Sequence, residues 1–327
     1  MSALETIVIG AGARGNAYGQ FAIDHPDKLR VVGVAEPDAL RRDRFVASHQ
    51  IAPENVYENW QDLLRASTRL APAAMNCTMD RQHYSSTMQL LEQGYDVLLE
   101  KPMSPVMSEN IRLVQKAEQT GRLLQICHVL RYTLFWQALR SVVQSGVLGR
   151  IVSVTHRENL AFWHMAHSFV RGNWRSEQES GAMILAKCCH DFDILLWILR
   201  QEVVWLNSFG SLTHFRAENA PEGAPPRCTD GCPAAENCKY EATRIYGHDG
   251  NRFPLDHVSF VPTREARLEA IRTGPYGRCV YHADNDVVDH QTVNMELTDG
   301  ATVVLTMNGQ GDEECRTMRW DGTKATL

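Results

Sequence analysis

The stretch Gly10-Ala11-Gly12-Ala13-Arg14-Gly15 constrains the fold more than any other part of the chain. It follows directly on a β-branched apolar run, residues 6–9 (TIVI), and opens a segment of helical character. Glycines spaced GxGxxG at a strand-to-helix passage allow a tight turn and let the backbone approach a pyrophosphate. The helix N-terminus meets that anion with its N–H groups and the positive end of its dipole. Four more apolar runs keep the rhythm, at residues 31–35, 73–78, 96–100 and 123–127. Between them lie helical segments such as 84–93 and 108–120, closed by Gly94 and Gly121. Continuous apolar strands alternating with helices predict a doubly wound parallel sheet covered on both faces, an α/β Rossmann domain over residues 1–126.

Glu36 ends the second apolar run, 21 residues after Gly15. A carboxylate there accepts hydrogen bonds from adenosine ribose hydroxyls and repels a 2′-phosphate, which favours NAD over NADP. Arg14 and Arg41 argue the other way, since either guanidinium could reach a 2′-phosphate. NADP therefore stays the alternative coenzyme.

Beyond residue 126 the rhythm changes. A helix over 135–144 and a strand over 151–157 are followed by a polar, aromatic loop rich in histidine, and 180–199 reads as one long apolar helix. Strands are expected to dominate from Val203 onward. Among them is a hairpin of 287–297 with 301–307, turned at Thr298-Asp299-Gly300. The prediction is an α+β domain over 127–327 with a largely antiparallel open sheet. An irregular Pro-, Gly- and Cys-containing insertion lies at about 213–240.

The charge balance limits the partners. A formal net charge of −6 on 327 residues gives no electrostatic case for nucleic acid or an anionic membrane. No uncharged apolar run approaches the ~18 residues a membrane helix needs. The first residues lack the basic and apolar regions of a signal peptide, and the nine cysteines are an odd number in a long chain. A reducing, cytoplasmic setting with free or metal-bound thiols is expected.

At Glu100-Lys101-Pro102, closing the fourth apolar run, the chain resembles the glucose–fructose oxidoreductase / inositol dehydrogenase / MocA family. The resemblance also takes in the glycine loop, residues 78–83, Gly149-Arg150-Ile151, and the segment holding His190 and Asp193, nearly the whole chain. It implies hydride transfer between a nicotinamide cofactor and a hydroxyl carbon of a sugar, cyclitol or sugar derivative. It places Lys101 near the nicotinamide and the substrate hydroxyl, where an ammonium can stabilise charge on the oxygen or shuttle its proton. The peptide bond before Pro102 is often cis in the family. Gly10, Gly12, Ala13, Arg14, Gly15, Glu36, Thr78, His83, Glu100 and Lys101 become the expected cofactor residues.

The family's helix carries an aspartate, a histidine four residues later and a second aspartate three further on. His190 and Asp193 match the second and third positions, with His190 as general acid/base. The first position falls on Ala186, so that carboxylate is missing. Lys187 stands beside it, three residues before His190 on the same helix face, and is expected to add a second cation to the site. The missing carboxylate keeps one other reading open, and the family's non-enzymatic members leave a second, which would be favoured if Lys101 and His190 were absent. One is an NAD-dependent glycosidase that oxidises, eliminates and reduces again; the other is a non-catalytic sugar-responsive regulator. His128, Arg131, Tyr132, Glu158, His164 and Trp174 are the expected substrate-pocket residues. Members of the family usually pair through the sheet of the second domain, so a homodimer or homotetramer is expected. The last strand reads as cut short at 326–327, where relatives continue, and this puts the pairing in doubt.

Cys228, Cys232 and Cys238 fall within eleven residues of the insertion. Three thiols on a loop with no core of its own suggest a structural zinc ion, with Cys279, His282 or His248 as fourth ligand. Unconnected free thiols are the alternative.

Overall fold

The computed structural model describes residues 2–65, 68–250 and 252–327. The chain divides into two compact units, residues 1–128 and Val129–Leu327.

The first unit is built on six parallel strands: β1 (Leu4–Ile9), β2 (Leu29–Ala35), β3 (Val56–Tyr57), β4 (Ala73–Asn76), β5 (Asp96–Leu99) and β6 (Leu124–Ile126). Their order is β3-β2-β1-β4-β5-β6, so the strand order reverses between β1 and β4, beside the glycine loop. Side chains alternate across the sheet. Ile7 and Ile9 enter one core with Ala74, Val97 and Leu99, while Val8 enters the other with Phe45 and Met75. Each of these β1 side chains is fully buried, a stabilisation of about 1.5–3 kcal/mol apiece. The helices His83–Glu92 and Met107–Thr120 stand where the sequence places them, and Gly121 closes the second at φ +63°. Strand β3 escapes sequence reading because two residues carry no periodicity.

The second unit holds a five-stranded sheet of β7 (Ile151–Ala161), β8 (Val203–Ser211), β9 (His290–Leu297), β10 (Thr302–Gly311) and β11 (Cys315–Gly322), ordered β11-β7-β10-β9-β8. Only the central β7–β10 pair is parallel; the other neighbours run antiparallel. The β9–β10 hairpin turns at Thr298-Asp299-Gly300, where Asp299 accepts from the Ala301 N–H at 3.0 Å and Gly300 adopts φ +81°.

Two expectations need correction. Strands do not dominate after Val203: between β8 and β9 the chain is irregular and carries the short helices Ala242–Tyr246, Leu255–Val258 and Arg264–Thr273. Nor is 180–199 one helix. It breaks into Glu177–Ser180, Met183–Ala186 and Cys189–Leu199, with Gly181 at φ +96° at the first break and Lys187-Cys188 outside helix at the second. The apolar pattern runs through both breaks, so hydropathy alone cannot show them. Among the described residues no helix is long and apolar enough to cross a membrane.

Candidate functional site

In the first unit, steric fit fixes the glycine loop. Gly10 sits at φ +89°, and a Cβ there would stand 2.4 Å from the Cys77 carbonyl oxygen; a Cβ on Gly15 would stand 2.1 Å from the Gly10 oxygen. Only glycine fits both places. The helix Ala13–Asp24 starts from Gly12 with no side-chain cap and no acidic residue in its first turn, among the described residues. Its leading N–H groups are thus left to an anion. Asn16 holds the loop from below, donating to the carbonyls of Ala11 and Gly12 at 2.7 and 2.9 Å. A cradle closed to any Cβ and ending on an open helix terminus fits a dinucleotide pyrophosphate.

Glu36 is almost fully buried and accepts from the Ala11 N–H at 2.7 Å and the Asp38 N–H at 3.0 Å. Its carboxylate thereby ties the end of β2 to the glycine loop, a bracing role the sequence does not reveal, and each oxygen keeps a further lone pair for a hydroxyl. The Arg41 guanidinium lies beside the loop, 3.8 Å from where a Gly12 Cβ would be. Arg14 and Ala13 are exposed, and Arg14 reaches Glu100 at 3.5 Å.

Lys101, half-buried, follows β5 at the C-terminal edge of the sheet, where ligands bind in open α/β folds. The Lys101–Pro102 bond is cis. Two buried groups, Glu100 and His83, and the half-buried Tyr18 hold this segment. Glu100 accepts from the Lys101 N–H at 2.6 Å and from the Tyr18 hydroxyl at 2.5 Å. Burial and then the charge of Glu100 push the Tyr18 phenol far up, so it stays a donor. His83 is fully buried between the carbonyls of Pro102 (2.7 Å) and Thr78 (3.0 Å). His83 and Glu100 therefore act beneath Lys101 rather than as an exposed cofactor wall. Thr78 donates its hydroxyl to Asn76 at 2.8 Å. His128, half-buried, closes the unit.

In the second unit the expected residues do not all face one pocket. Glu158 is fully buried in β7, which overturns its expected place on a substrate. It pairs instead with Lys187 at 3.2 Å and with Arg316 at 2.8 Å. Burial raises its carboxyl, and Asp191 adds to the rise against the pull of the two cations. Lys187 also reaches Glu314 at 3.1 Å, and Glu314 accepts from His164 at 2.5 Å. Burial acts to lower the Lys187 ammonium, but Glu158 and Glu314 outweigh it and hold it above its ordinary value. Lys187 is therefore a neutralised cation, and the break before Cys189 takes it off the helix of His190, which removes the shared-face argument. Asp191, fully buried, accepts from Arg316 Nε at 2.7 Å and lies 2.7 Å from His156 Nε2. Burial opposes ionisation there, yet His156 and Arg316 prevail and its carboxyl stays low.

His190 stands half-buried in the first turn of Cys189–Leu199. Asp193, three residues on, is grasped by the fork of Arg131, Nε donating at 2.8 Å and Nη2 to the other oxygen. Those two expected residues are thus tied to each other. Tyr132 is exposed and Trp174 packs against the main core. His156, Asp191, Glu314 and Arg316 were missed by sequence reasoning. Asp191 lies beside His190 and could have been singled out, whereas nothing local marks Arg316, 125 residues away.

Cys228, Cys232, Cys238 and Cys279 all line one cavity of about 20 Å3, room for roughly one water. All four are free thiols, and among the described residues no three His, Cys, Asp or Glu side chains are placed to hold a metal. Cys228 packs with Tyr246 and Ile271, while Cys238 packs on the main core, so the sulfurs belong to different walls. The zinc expectation finds no support in this arrangement.

The glycine cradle opening on an uncapped helix terminus defines a dinucleotide-binding class of protein. The chain belongs to the GFO/IDH/MocA oxidoreductase family: residues 4–128 match its NAD-binding Rossmann fold and residues 136–232 its C-terminal domain. It is 26% identical over 251 residues to YteT of Bacillus subtilis (strain 168), provisionally named an oxidoreductase, covering 76% of this chain and 58% of that protein. It is 27% identical over 218 residues to inositol 2-dehydrogenase 4 of Saccharopolyspora erythraea, covering 66% and 59%. The chain thus spans less than two thirds of the length of these relatives. Among solved structures, myo-inositol 2-dehydrogenase from Lactobacillus plantarum superposes with a TM-score of 0.69 at 14% identity, over 100% of this chain and 76% of that one. This last likeness speaks to the fold.

Proposed function

We propose that this protein is an NAD-dependent oxidoreductase that moves hydride between the nicotinamide and a hydroxyl carbon of a sugar, cyclitol or sugar derivative, working in the cytoplasm. The observation that carries the reading is the glycine cradle opening on an uncapped helix terminus, with Lys101 held on the segment after β5 in the same unit. The inositol 2-dehydrogenase named above supports the substrate class.

Gly10, Gly12, Ala13 and Gly15 would carry the pyrophosphate, and Glu36 with Arg14 and Thr78 would flank the rest of the coenzyme. When bound, NAD supplies the hydride acceptor. Lys101 hydrogen-bonds the substrate oxygen and stabilises its developing charge. By the family resemblance, His190 of the second unit is the proposed acid/base group. Asp193 keeps Arg131 in place, and Arg131, Tyr132, His164 and Trp174 contribute to substrate recognition. Lys187 is a structural cation in this reading. Lys187 is paired with two carboxylates, while the glycosidase alternative rests on the missing carboxylate at Ala186 and is decided by the test below. We also propose self-association, supported by Val204, Trp205, Leu206 and Phe209, all exposed on β8.

The test is incubation with NAD and a panel of free sugars, cyclitols and aryl glycosides, following NADH and aglycone together. NADH in proportion to oxidised free sugar, lost in Lys101→Ala, is the expected result. Aglycone release that needs NAD without NADH accumulating would overturn it.

A further inference from the structure

The helix that carries His190 begins abruptly. It follows a two-residue break, and among the described residues no side chain caps its N-terminus. His190 is its second residue, so its direction depends on what anchors the first turn. Both flanks of His190 are anchored to the sheet by charge. Asp191, next in sequence, is fixed by Arg316 of β11 and by His156 of β7. Lys187, three residues before, is fixed by Glu158 of β7 and by Glu314 just ahead of β11.

Arg316 joins the two anchors, since its guanidinium reaches Asp191 Oδ1 at 2.7 Å and Glu158 Oε2 at 2.8 Å. The two carboxylates are completely buried, and Arg316 itself is only 22% exposed. A planar fork can span two carboxylates at fixed angles, which a single ammonium cannot. The surrounding titratable and charged groups are Lys187 and the His156 and His164 rings, and the carboxylates Glu158, Asp191 and Glu314. Both histidines face carboxylates, and Lys187 and Arg316 are each paired with two of the three acids.

We propose that Arg316 is the positioning residue of His190, holding the start of its helix against β7 and β11 so that the imidazole is presented in one orientation. The proposal rests on the reading of His190 as the acid/base group.

The test uses the full chain labelled for histidine-ring NMR, with the His190 signal assigned by its loss in His190→Gln. Wild type should give a single His190 ring signal. In Arg316→Met that signal should split or broaden, and amide exchange of residues 189–193 should quicken at least tenfold while the amides of β1 and β4 keep their rates. Arg316→Lys keeps the charge but not the fork, and should show the same change. It serves as the deciding variant if Arg316→Met does not fold. An unchanged ring signal and unchanged exchange in a folded variant would overturn the proposal. In active enzyme, turnover should fall at least tenfold with the KM for NAD unmoved; unaltered turnover would overturn it as well. The ring signal requires no activity, so a wild type inert toward every sugar would sink the functional reading while this test still gave its answer.

Discussion

The two units hold their reactive residues by different means. In the first unit the contacts that end on the backbone dominate: Glu100 to the next N–H, Glu36 to the glycine loop, His83 to two carbonyls, with Tyr18–Glu100 as a long-range pair of side chains beside them. In the second unit they are charged side chains far apart in sequence, Arg316 to Asp191 across 125 residues and Lys187 to Glu314 across 127. Backbone turns tolerate changes in surrounding side chains but not a Cβ in the wrong place. An ion network tolerates small backbone shifts but not the loss of one charge, because the remaining partners are left buried and uncompensated.

The largest effect expected is on turnover. Lys101→Ala should cut kcat by about 10²–10⁴-fold while leaving the Kd for NAD within a few-fold, measured by steady-state kinetics and calorimetry. His190→Gln should cost a similar factor of about 10²–10⁴. The comparison breaks if His190→Gln leaves kcat intact, for then the second unit recognises substrate without taking part in the proton transfer.

Next is the cradle. Gly10→Ala puts a Cβ 2.4 Å from the Cys77 oxygen at a backbone angle that L residues rarely adopt. The loop must shift, and NAD affinity should fall about 100-fold or more, with a loss of roughly 1–3 kcal/mol in the stability of the first unit. Retained NAD affinity would show that the cradle does not hold the pyrophosphate.

This contrast also decides what was legible in the sequence. The glycine loop, Glu36 and Glu100-Lys101-Pro102 are local signals, since their spacing along the chain already carries their geometry. The parallel sheet followed from apolar runs whose period needs no tertiary information. The breaks at Gly181 and Lys187 were hidden because burial continues through them, and with them the true setting of His190. Glu158 looked like a pocket residue because the strand was expected to end at 157 and pass into the aromatic loop, whereas β7 runs on to Ala161. The four cysteines suggested a ligand set by spacing alone, and spacing does not orient sulfurs.

A smaller effect distinguishes the units by acid. His167 is buried in the second unit, hydrogen-bonded to the Tyr246 hydroxyl at 3.1 Å and stacked on Tyr276. Burial first, then the charges of His257, His164 and Arg171, hold its pKa down at about 2. The folded pKa lies below the unfolded one of about 6.5, so the unfolded chain binds the proton. Stability is therefore fully present above pH 6.5 and declines as pH falls, by about 2 kcal/mol at pH 5. Six of the seven tryptophans lie in the second unit, so urea unfolding followed by tryptophan fluorescence reports on it. The midpoint should drop between pH 7 and 5 in wild type and drop less in His167→Gln. Equal slopes in both would mean the ring is not held neutral.

The smallest effect concerns coenzyme choice and returns to the first unit. Glu36 sits at the end of β2 with both oxygens already engaged by N–H groups, so its charge stays fixed near the ribose end of the cradle. The Arg41 guanidinium lies against Gly12. A 2′-phosphate would meet repulsion from one and attraction from the other, and the buried carboxylate is the better fixed of the two. NAD should therefore bind more tightly than NADP. Arg41→Ala should widen the gap by about tenfold, near 1.4 kcal/mol, through weaker NADP binding with NAD binding little changed. Glu36→Gln should narrow it, and because the amide still offers one acceptor oxygen to the Ala11 N–H, the loop should keep much of its bracing. A gap that ignores Arg41 and collapses in Glu36→Gln would assign the choice to the carboxylate alone. The reverse result would mean that the arginine, not the acid at the strand end, selects the coenzyme.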